Sequence, residues 1–168
     1  MSLIRRAVIL ALLAVIILGA LLANEPTTAF RKELIVNVPR DVAWDHFNRA
    51  TEWPSWATYI KSVELTPPGA LGPDTVGTVN LQNGQSTTFR MTAFEPKEHW
   101  QWSTRLLWLT LDYDHAFQPV SAGETRIVLL MTVKGFGKSA LAFAIERMAG
   151  PDLDASIPRL VQEMNGKE

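Results

Sequence analysis

Residues 36–65 read VNVPRDVAWDHFNRATEWPSWATYIKSVEL, and the succession of breaks in this stretch decides the fold. It opens on the end of an extended segment, Phe30–Val38, whose side chains alternate and whose last residues are β-branched, the pattern of a strand. Pro39 has no N–H and a fixed φ, and it stops that strand. In Asp41–Ala50 the apolar Ala43, Phe47 and Ala50 recur at i, i+4 and i+7, and Asp41 sits where a helix dipole is positive, so a short helix is predicted. Glu52–Tyr59 predicts a second short helical piece, with Pro54 tolerated in its first turn. Ile60–Thr66 is extended again.

Downstream, strands alternate with turns. Pro67-Pro68-Gly69 closes the Ile60–Thr66 strand. Thr75–Gln82 and Gln85–Phe94 flank Asn83-Gly84, a strong two-residue hairpin signal. Pro96-Lys97 leads into His99–Thr104, followed by Leu109–Pro119, the turn Ser121-Ala122-Gly123, and Thr125–Lys134. From Ser139 to Met164 the period becomes helical: Leu141, Ile145 and Met148 share one face, as do Ile157, Leu160, Val161 and Met164. Gly150-Pro151 is expected to kink or break this helix, and Pro158 to bend it again. A single antiparallel sheet must bury one face, and the long helix is the cover available. The prediction is an α+β domain, a curved antiparallel sheet gripping a long C-terminal helix.

Upstream, Ala7–Ala23 is a run of 17 residues without a polar side chain, preceded by Arg5 and Arg6 and ended by Asn24-Glu25-Pro26. With Leu3 and Ile4 it reaches the short limit of a spanning helix. A cleaved signal peptide has a shorter apolar core and small residues at its closing site, and here Leu21 stands two before Ala23. The reading is an uncleaved N-terminal transmembrane helix, in contact with the membrane through residues 4–23. Arg5 and Arg6 place the N-terminus in the cytoplasm and the domain on the periplasmic or extracellular side, although Arg31 and Lys32 reduce that asymmetry. Residues 1–29 are thus anchor and linker, and residues 30–168 one domain.

The stretch 36–65 resembles the opening of the SRPBCC or START-like superfamily, which includes polyketide cyclase/dehydrase-type proteins. The resemblance rests on Pro39, Val42 and Trp44, Trp53-Pro54-x-Trp56 and Ile60-x-x-Val63. Gly69–Gly77, Phe94-Glu95-Pro96, Gly123-x-Thr125 and the terminal helix fall where that family has them. It covers roughly residues 30–165. It implies a helix-grip fold with an internal apolar cavity, in a family whose members bind lipids, sterols or polyketides and of which a minority are enzymes. The N-terminal anchor departs from it, since many members lack one.

Composition narrows the function classes. The chain has 168 residues, 16 Lys+Arg against 17 Asp+Glu, and a net charge of −1, which argues against a partner that is nucleic acid. The absence of cysteine excludes disulfides, thiolate metal sites and a cysteine nucleophile. Gly135-Phe136-Gly137-Lys138-Ser139 contains a GKS triplet, but the first glycine of a phosphate loop would fall at Thr132, so the glycines are read as shaping the turn into the last helix. Asp112-Tyr113-Asp114-His115 is the one cluster of metal-capable side chains. On a strand the aspartates share the face opposite Tyr113 and His115, so they point to solvent and no metal or other cofactor is implied. His46 and His99 read as surface residues, and Trp44, Trp53 and Trp56 as packing for the short helices.

Tyr113 and His115 lie on the apolar face with Leu109, Leu111 and Phe117. Two polar aromatics on a cavity wall suit the orientation of a ligand carbonyl or hydroxyl, and His115 suits proton transfer; the plainer reading makes both satisfied wall residues. The expected ligand wall is Phe89, Met91, Trp102, Leu111, Tyr113, His115, Phe117, Leu129 and Met131, roofed by Leu141, Ile145 and Met148. The leading reading is membrane-anchored binding of a hydrophobic small molecule or lipid. One alternative is a polyketide cyclase/dehydratase-like enzyme using Tyr113 and His115. Another is a non-enzymatic protein-interaction module with a self-filled cavity and Val128 and Leu130 on an outer partner surface. In a meander, successive turns lie at alternate ends, so Asn83-Gly84, Arg105–Trp108 and Lys134–Ser139 share one end. Leu106, Leu107, Trp108 and Phe136 make that end apolar, a candidate membrane rim.

Overall fold

In the computed structural model, residues 3–166 are described, and within the N-terminal helix α1 (Leu3–Asn24) only the side chains at 5 and 8–19. The strands β1 (Thr27–Val36), β2 (Ile60–Thr66), β3 (Val76–Leu81), β4 (Ser86–Glu95), β5 (His99–Leu106), β6 (Leu109–Ser121) and β7 (Glu124–Lys134) form one antiparallel sheet in the order β1-β7-β6-β5-β4-β3-β2. Helix α2 (Arg40–Asn48) and a 3-10 helix (Ala50–Ser55) link β1 to β2, and helix α3 (Lys138–Asn165) closes the chain. This is the helix-grip-like α+β arrangement expected from the sequence. The six strands from β2 to β7 run as a meander, and β1 pairs with β7 from Thr27↔Val133 to Val36↔Thr125.

Thr27–Ala29, expected to be linker, are already strand, and Ala29 is buried. The first short helix begins directly after Pro39, which fills the N-cap position. The second short helical piece is a 3-10 helix, Ala50–Ser55, which starts and ends earlier than the Glu52–Tyr59 expected, with Trp53 Nε1 donating to the Phe47 carbonyl at 2.9 Å. Asn48 O accepts from Leu71 N at 2.9 Å, which ties the β2–β3 loop to the end of α2. Trp44 packs edge-on against Phe94 and Phe117, so the short helices cover the inner face of the sheet that α3 does not reach.

α3 runs as one 28-residue helix through both Pro151 and Pro158, so Gly150-Pro151 does not break it. Each proline leaves one carbonyl without its intrahelical donor, at Arg147 and Asp154, and both of these residues face solvent, where a freed carbonyl is not desolvated. The helix phase also differs from the expected roof. Met148 is 77% exposed, while Ala142, Gly150, Leu153, Ser156, Leu160 and Met164 are buried. At 100° per residue Gly150 lies nearly opposite Met148, so both cannot face the sheet.

The side chains at 8–19 of α1 all face outward. Among the described residues, no helix is long and apolar enough to cross a membrane. The side chains at 4, 6, 7 and 20–23, which complete the expected anchor and its Arg6 flank, lie outside the described residues.

Gly77 on β3 faces Phe89 on β4, and a Cβ at 77 would fall 2.4 Å from the Phe89 ring. Phe89 is fully buried and packs against Trp102 at 4.8 Å between ring centroids. Gly77→Ala is expected to destabilise the domain by about 1–3 kcal/mol through overpacking. Combined with Phe89→Leu in denaturant titrations, it is expected to cost less than the sum of the two single changes.

Candidate functional site

Strand periodicity carries one wall of the site. The β5–β6 register sets Trp100 opposite His115 and Trp102 opposite Tyr113, all on the inner face. The rings stack: Trp100 on His115 at 3.7 Å and 17°, Trp102 on Tyr113 at 3.8 Å and 12°. The helical connection between β1 and β2 adds the opposite wall. Phe47 of α2 meets His115 at 6.0 Å and Trp56 at 5.5 Å, and Trp53 stacks on Trp100 at 6.1 Å. The result is a closely packed aromatic cluster, here called the niche, between the sheet and the short helices.

The expected wall residues are brought to one face but divide into two clusters. Phe89, Met91, Trp102, Phe117 and Leu129 belong to the larger, with Leu153, Leu160 and Met164 of α3. Leu111 and Met131 belong to a smaller one with Ala29, Leu109, Val133 and Ala142, against which Leu141 and Ile145 pack while partly exposed. Tyr113 and Phe30 touch both. Met148 belongs to neither. Trp53, Trp56, Phe47, Asn48 and Tyr59 were not anticipated as site residues, since their spacing reads as local packing of short helices. Trp100 was legible as the i−2 partner of Trp102 on one strand.

The electrostatics of the niche are those of neutral groups. His115 is half-buried with its Nδ1 fully enclosed, and burial, assisted by the charge of His99, pulls its pKa down to about 3. Burial, assisted by Tyr59, pushes the Tyr113 hydroxyl well above the ordinary tyrosine range. Tyr59 is raised to about 12 by burial and by the Asp152 carboxylate. His115 is therefore neutral at pH 7, and as a base it is far too weak for the neutral-pH proton transfer considered from sequence.

Five enclosed polar atoms of this region have no hydrogen-bond partner: Asn48 Oδ1, Trp56 Nε1, Trp100 Nε1, Trp102 Nε1 and His115 Nδ1. Each such atom costs about 1–3 kcal/mol of desolvation when unpaired. Two hollows, of about 270 Å³ between β1 and α3 and about 330 Å³ beside the 135–140 loop, are lined by none of these residues.

The outer face of the sheet differs from expectation. Asp112 is 5% exposed rather than solvated; it accepts from Ser103 Oγ and pairs with Lys134 Nζ at 2.8 Å. Asp114 Oδ2 lies 2.7 Å from His99 Nε2. Val128 is buried beside Glu33 and Ala116, its cross-strand neighbours, so it offers no partner surface. His46 is also buried, on the inner face of α2, and not on the surface. Among the described residues no group of three His, Asp or Glu could hold a metal ion. The GKS segment forms the turn into α3, with Gly135 and Gly137 at positive φ and Gly135 closed in by Leu109 and the Trp108 carbonyl. Leu106, Leu107, Trp108 and Phe136 are exposed together at one end of the sheet.

A family model described as polyketide cyclase / dehydrase and lipid transport matches residues 27–165. The chain belongs to that family. No curated protein matches. Among solved structures, a protein from Thermobifida fusca is 10% identical with a TM-score of 0.67, covering 83% of this chain and 94% of that one. Norcoclaurine synthase from Thalictrum flavum, in complex with dopamine and hydroxybenzaldehyde, is 12% identical with a TM-score of 0.66, covering 89% and 92%. The Zhui aromatase/cyclase from a Streptomyces species is 12% identical with a TM-score of 0.61, covering 82% and 95%. At such identities the likeness is one of fold.

The His115 environment makes a signed prediction. Its pKa falls from the usual 6.5 to about 3 on folding, so between those values the unfolded chain holds the additional proton. Stability then drops as pH falls through that window, by up to about 1.4 kcal/mol per pH unit, and the effect is absent above it. Guanidinium unfolding at pH 7 and pH 4.5 should show the native chain losing about 1–3 kcal/mol more than His115→Gln does. Equal acid sensitivity of the two would remove His115 as the cause.

Proposed function

We propose that the domain binds a mainly apolar small molecule carrying hydroxyl or carbonyl groups in the aromatic niche, and that α1 tethers it to a membrane. The observation that carries the first part is the set of unpaired polar atoms enclosed among aromatic rings. A ligand with a few polar substituents would pair with Trp100, Trp102 and His115 while its body stacks on the rings, in keeping with how small-molecule sites combine apolar walls and sparse polar groups. The family description supports the same ligand class, and the aromatase/cyclase among the structural neighbours is consistent with it. A cyclase- or dehydratase-like reaction at Tyr113 and His115 is the second reading, favoured by the family description. In it both groups act as neutral hydrogen-bond partners to a carbonyl rather than as an acid–base pair.

The tether rests on the outward-facing apolar side chains at 8–19. The domain then lies on the periplasmic or extracellular side, with Arg5 and Arg6 cytoplasmic. The tether predicts that the chain stays with membranes through a carbonate wash, and recovery of a mature chain beginning near Asn24 would oppose it.

The binding reading is tested with the full chain and a hydroxyanthraquinone as probe, following tryptophan fluorescence. Saturable quenching is expected, weakened about five- to tenfold in Trp102→Phe, which keeps an aromatic ring but removes the indole N–H and part of the stacking area. If no saturation occurs, and native mass spectrometry finds no small molecule carried by the purified chain, the niche is a self-filled core.

A further inference from the structure

The two-residue hairpin between β5 and β6 is built from the wrong residues for an exposed turn. Leu106 pairs with Leu109, so Leu107 and Trp108 form the whole loop. Leu107 takes φ +57, a left-handed conformation that glycine or asparagine adopts without strain. The β3–β4 hairpin at Asn83-Gly84 shows the ordinary solution, with Gly84 at φ +85. Yet Leu107 is 77% exposed and Trp108 66%, and neither is needed to fill a core. Strain at an exposed apolar tip is a cost the fold does not require, the kind of feature that accompanies function.

The tip is also fixed in place. Trp108 Nε1 donates to the Phe136 carbonyl at 2.9 Å, and the Phe136 side chain, 82% exposed, stands beside it. Lys138 Nζ donates to the Glu25 carbonyl, and Gly19 of α1 lines one hollow with residues 135–140. α1 therefore leaves the domain against the same loop that carries Phe136. Only Glu25 and Pro26 separate α1 from β1, a reach of about 7 Å. Whatever layer receives α1 must also lie within reach of Leu107, Trp108 and Phe136.

We propose that Leu106, Leu107, Trp108 and Phe136 seat in the interfacial layer of a lipid bilayer and fix the sheet end-on to its surface. The layer suits them: an indole at the interface and apolar neighbours below it, with the cation of Arg105 at the rim. The proposal rests on the tether reading for the identity of the surface, and not on the ligand.

The chain has no cysteine, so single nitroxide labels can be placed cleanly. Leu107→Cys, Phe136→Cys, Leu13→Cys in α1 and Gly123→Cys at the opposite end of the sheet are labelled in the full chain and reconstituted in phosphatidylethanolamine/phosphatidylglycerol vesicles. Oxygen and nickel-chelate accessibilities then report depth by electron paramagnetic resonance. The expected result is bilayer depth at 13, interfacial depth at 107 and 136, and an aqueous signal at 123. If 13 reports bilayer while 107 and 136 are as open to nickel as 123, the rim is overturned and the tether stands. If all four are aqueous, rim and tether fall together, and the ligand reading is untouched. Leu107→Gly, which removes the strain, is expected to keep or raise the melting temperature while moving the label at 136 outward. A lower melting temperature with unchanged depth would make the tip structural and also overturn the proposal.

Discussion

The pairing of β1 with β7 is the constraint from which the rest of the molecule follows. It joins the first strand of the domain to the last, from Thr27↔Val133 to Val36↔Thr125, and so completes a seven-stranded sheet. With β1 held at that edge, α3 returns across β1 and β7 and buries Leu153, Leu160 and Met164. The half of the inner face that α3 does not cover falls to α2 and the 3-10 helix. Thr125 Oγ1 seals the junction by donating to the Val38 carbonyl at 2.9 Å, a buried bond just where β1 ends. Antiparallel pairing also dictates that β1 begins where β7 ends, which brings α1 to the loop between β7 and α3.

The niche is defined by a tension between stacking and hydrogen bonding. Cross-strand pairs of large rings stabilise the sheet and exclude water, as Trp100/His115 and Trp102/Tyr113 do. The same exclusion leaves indole and imidazole nitrogens unpaired and suppresses ionisation at His115, Tyr113 and Tyr59. Such a surface gains from a neutral ligand that supplies donors and acceptors, and it disfavours charged intermediates. The groups this site presents at neutral pH are therefore neutral hydrogen-bonding partners.

Where period two governs, the sequence was a good guide. It placed Phe89, Met91, Trp102, Leu111, Phe117, Leu129 and Met131 on one face of the sheet, and all are buried. It was a poorer guide where long-range geometry decides. Helical periodicity put Met148 on the sheet side with Leu141 and Ile145, and the way α3 crosses β1 turns Gly150 inward instead. Alternation sent Asp112 outward correctly, but its burial depends on Lys134 and Ser103, residues of two neighbouring strands. Trp53, Trp56 and Asn48 reach the niche from a connection whose path over the sheet no local pattern records. His46 is polar by type yet sits on the packed face of α2.

The exposed apolar end of the sheet and the stacked rings are joined along one strand. Along β6 the inner face runs Leu109, Leu111, Tyr113, His115, from the hairpin tip to the stacked pairs. Leu109 and Leu111 belong to the smaller cluster beneath the first turns of α3, where Leu141 and Ile145 remain partly exposed and only Ala142 is buried. Tyr113 joins that cluster to the larger one. Here Ala142 is the one buried side chain from the first turns of α3 over the apolar track, and the track begins at the end of the sheet where Lys138 meets Glu25. If the proposed rim meets a bilayer, a molecule leaving it there would meet aliphatic side chains first and hydrogen-bonding groups only at Tyr113 and beyond. That order favours loss of water before polar contacts form, which is when such contacts are strongest.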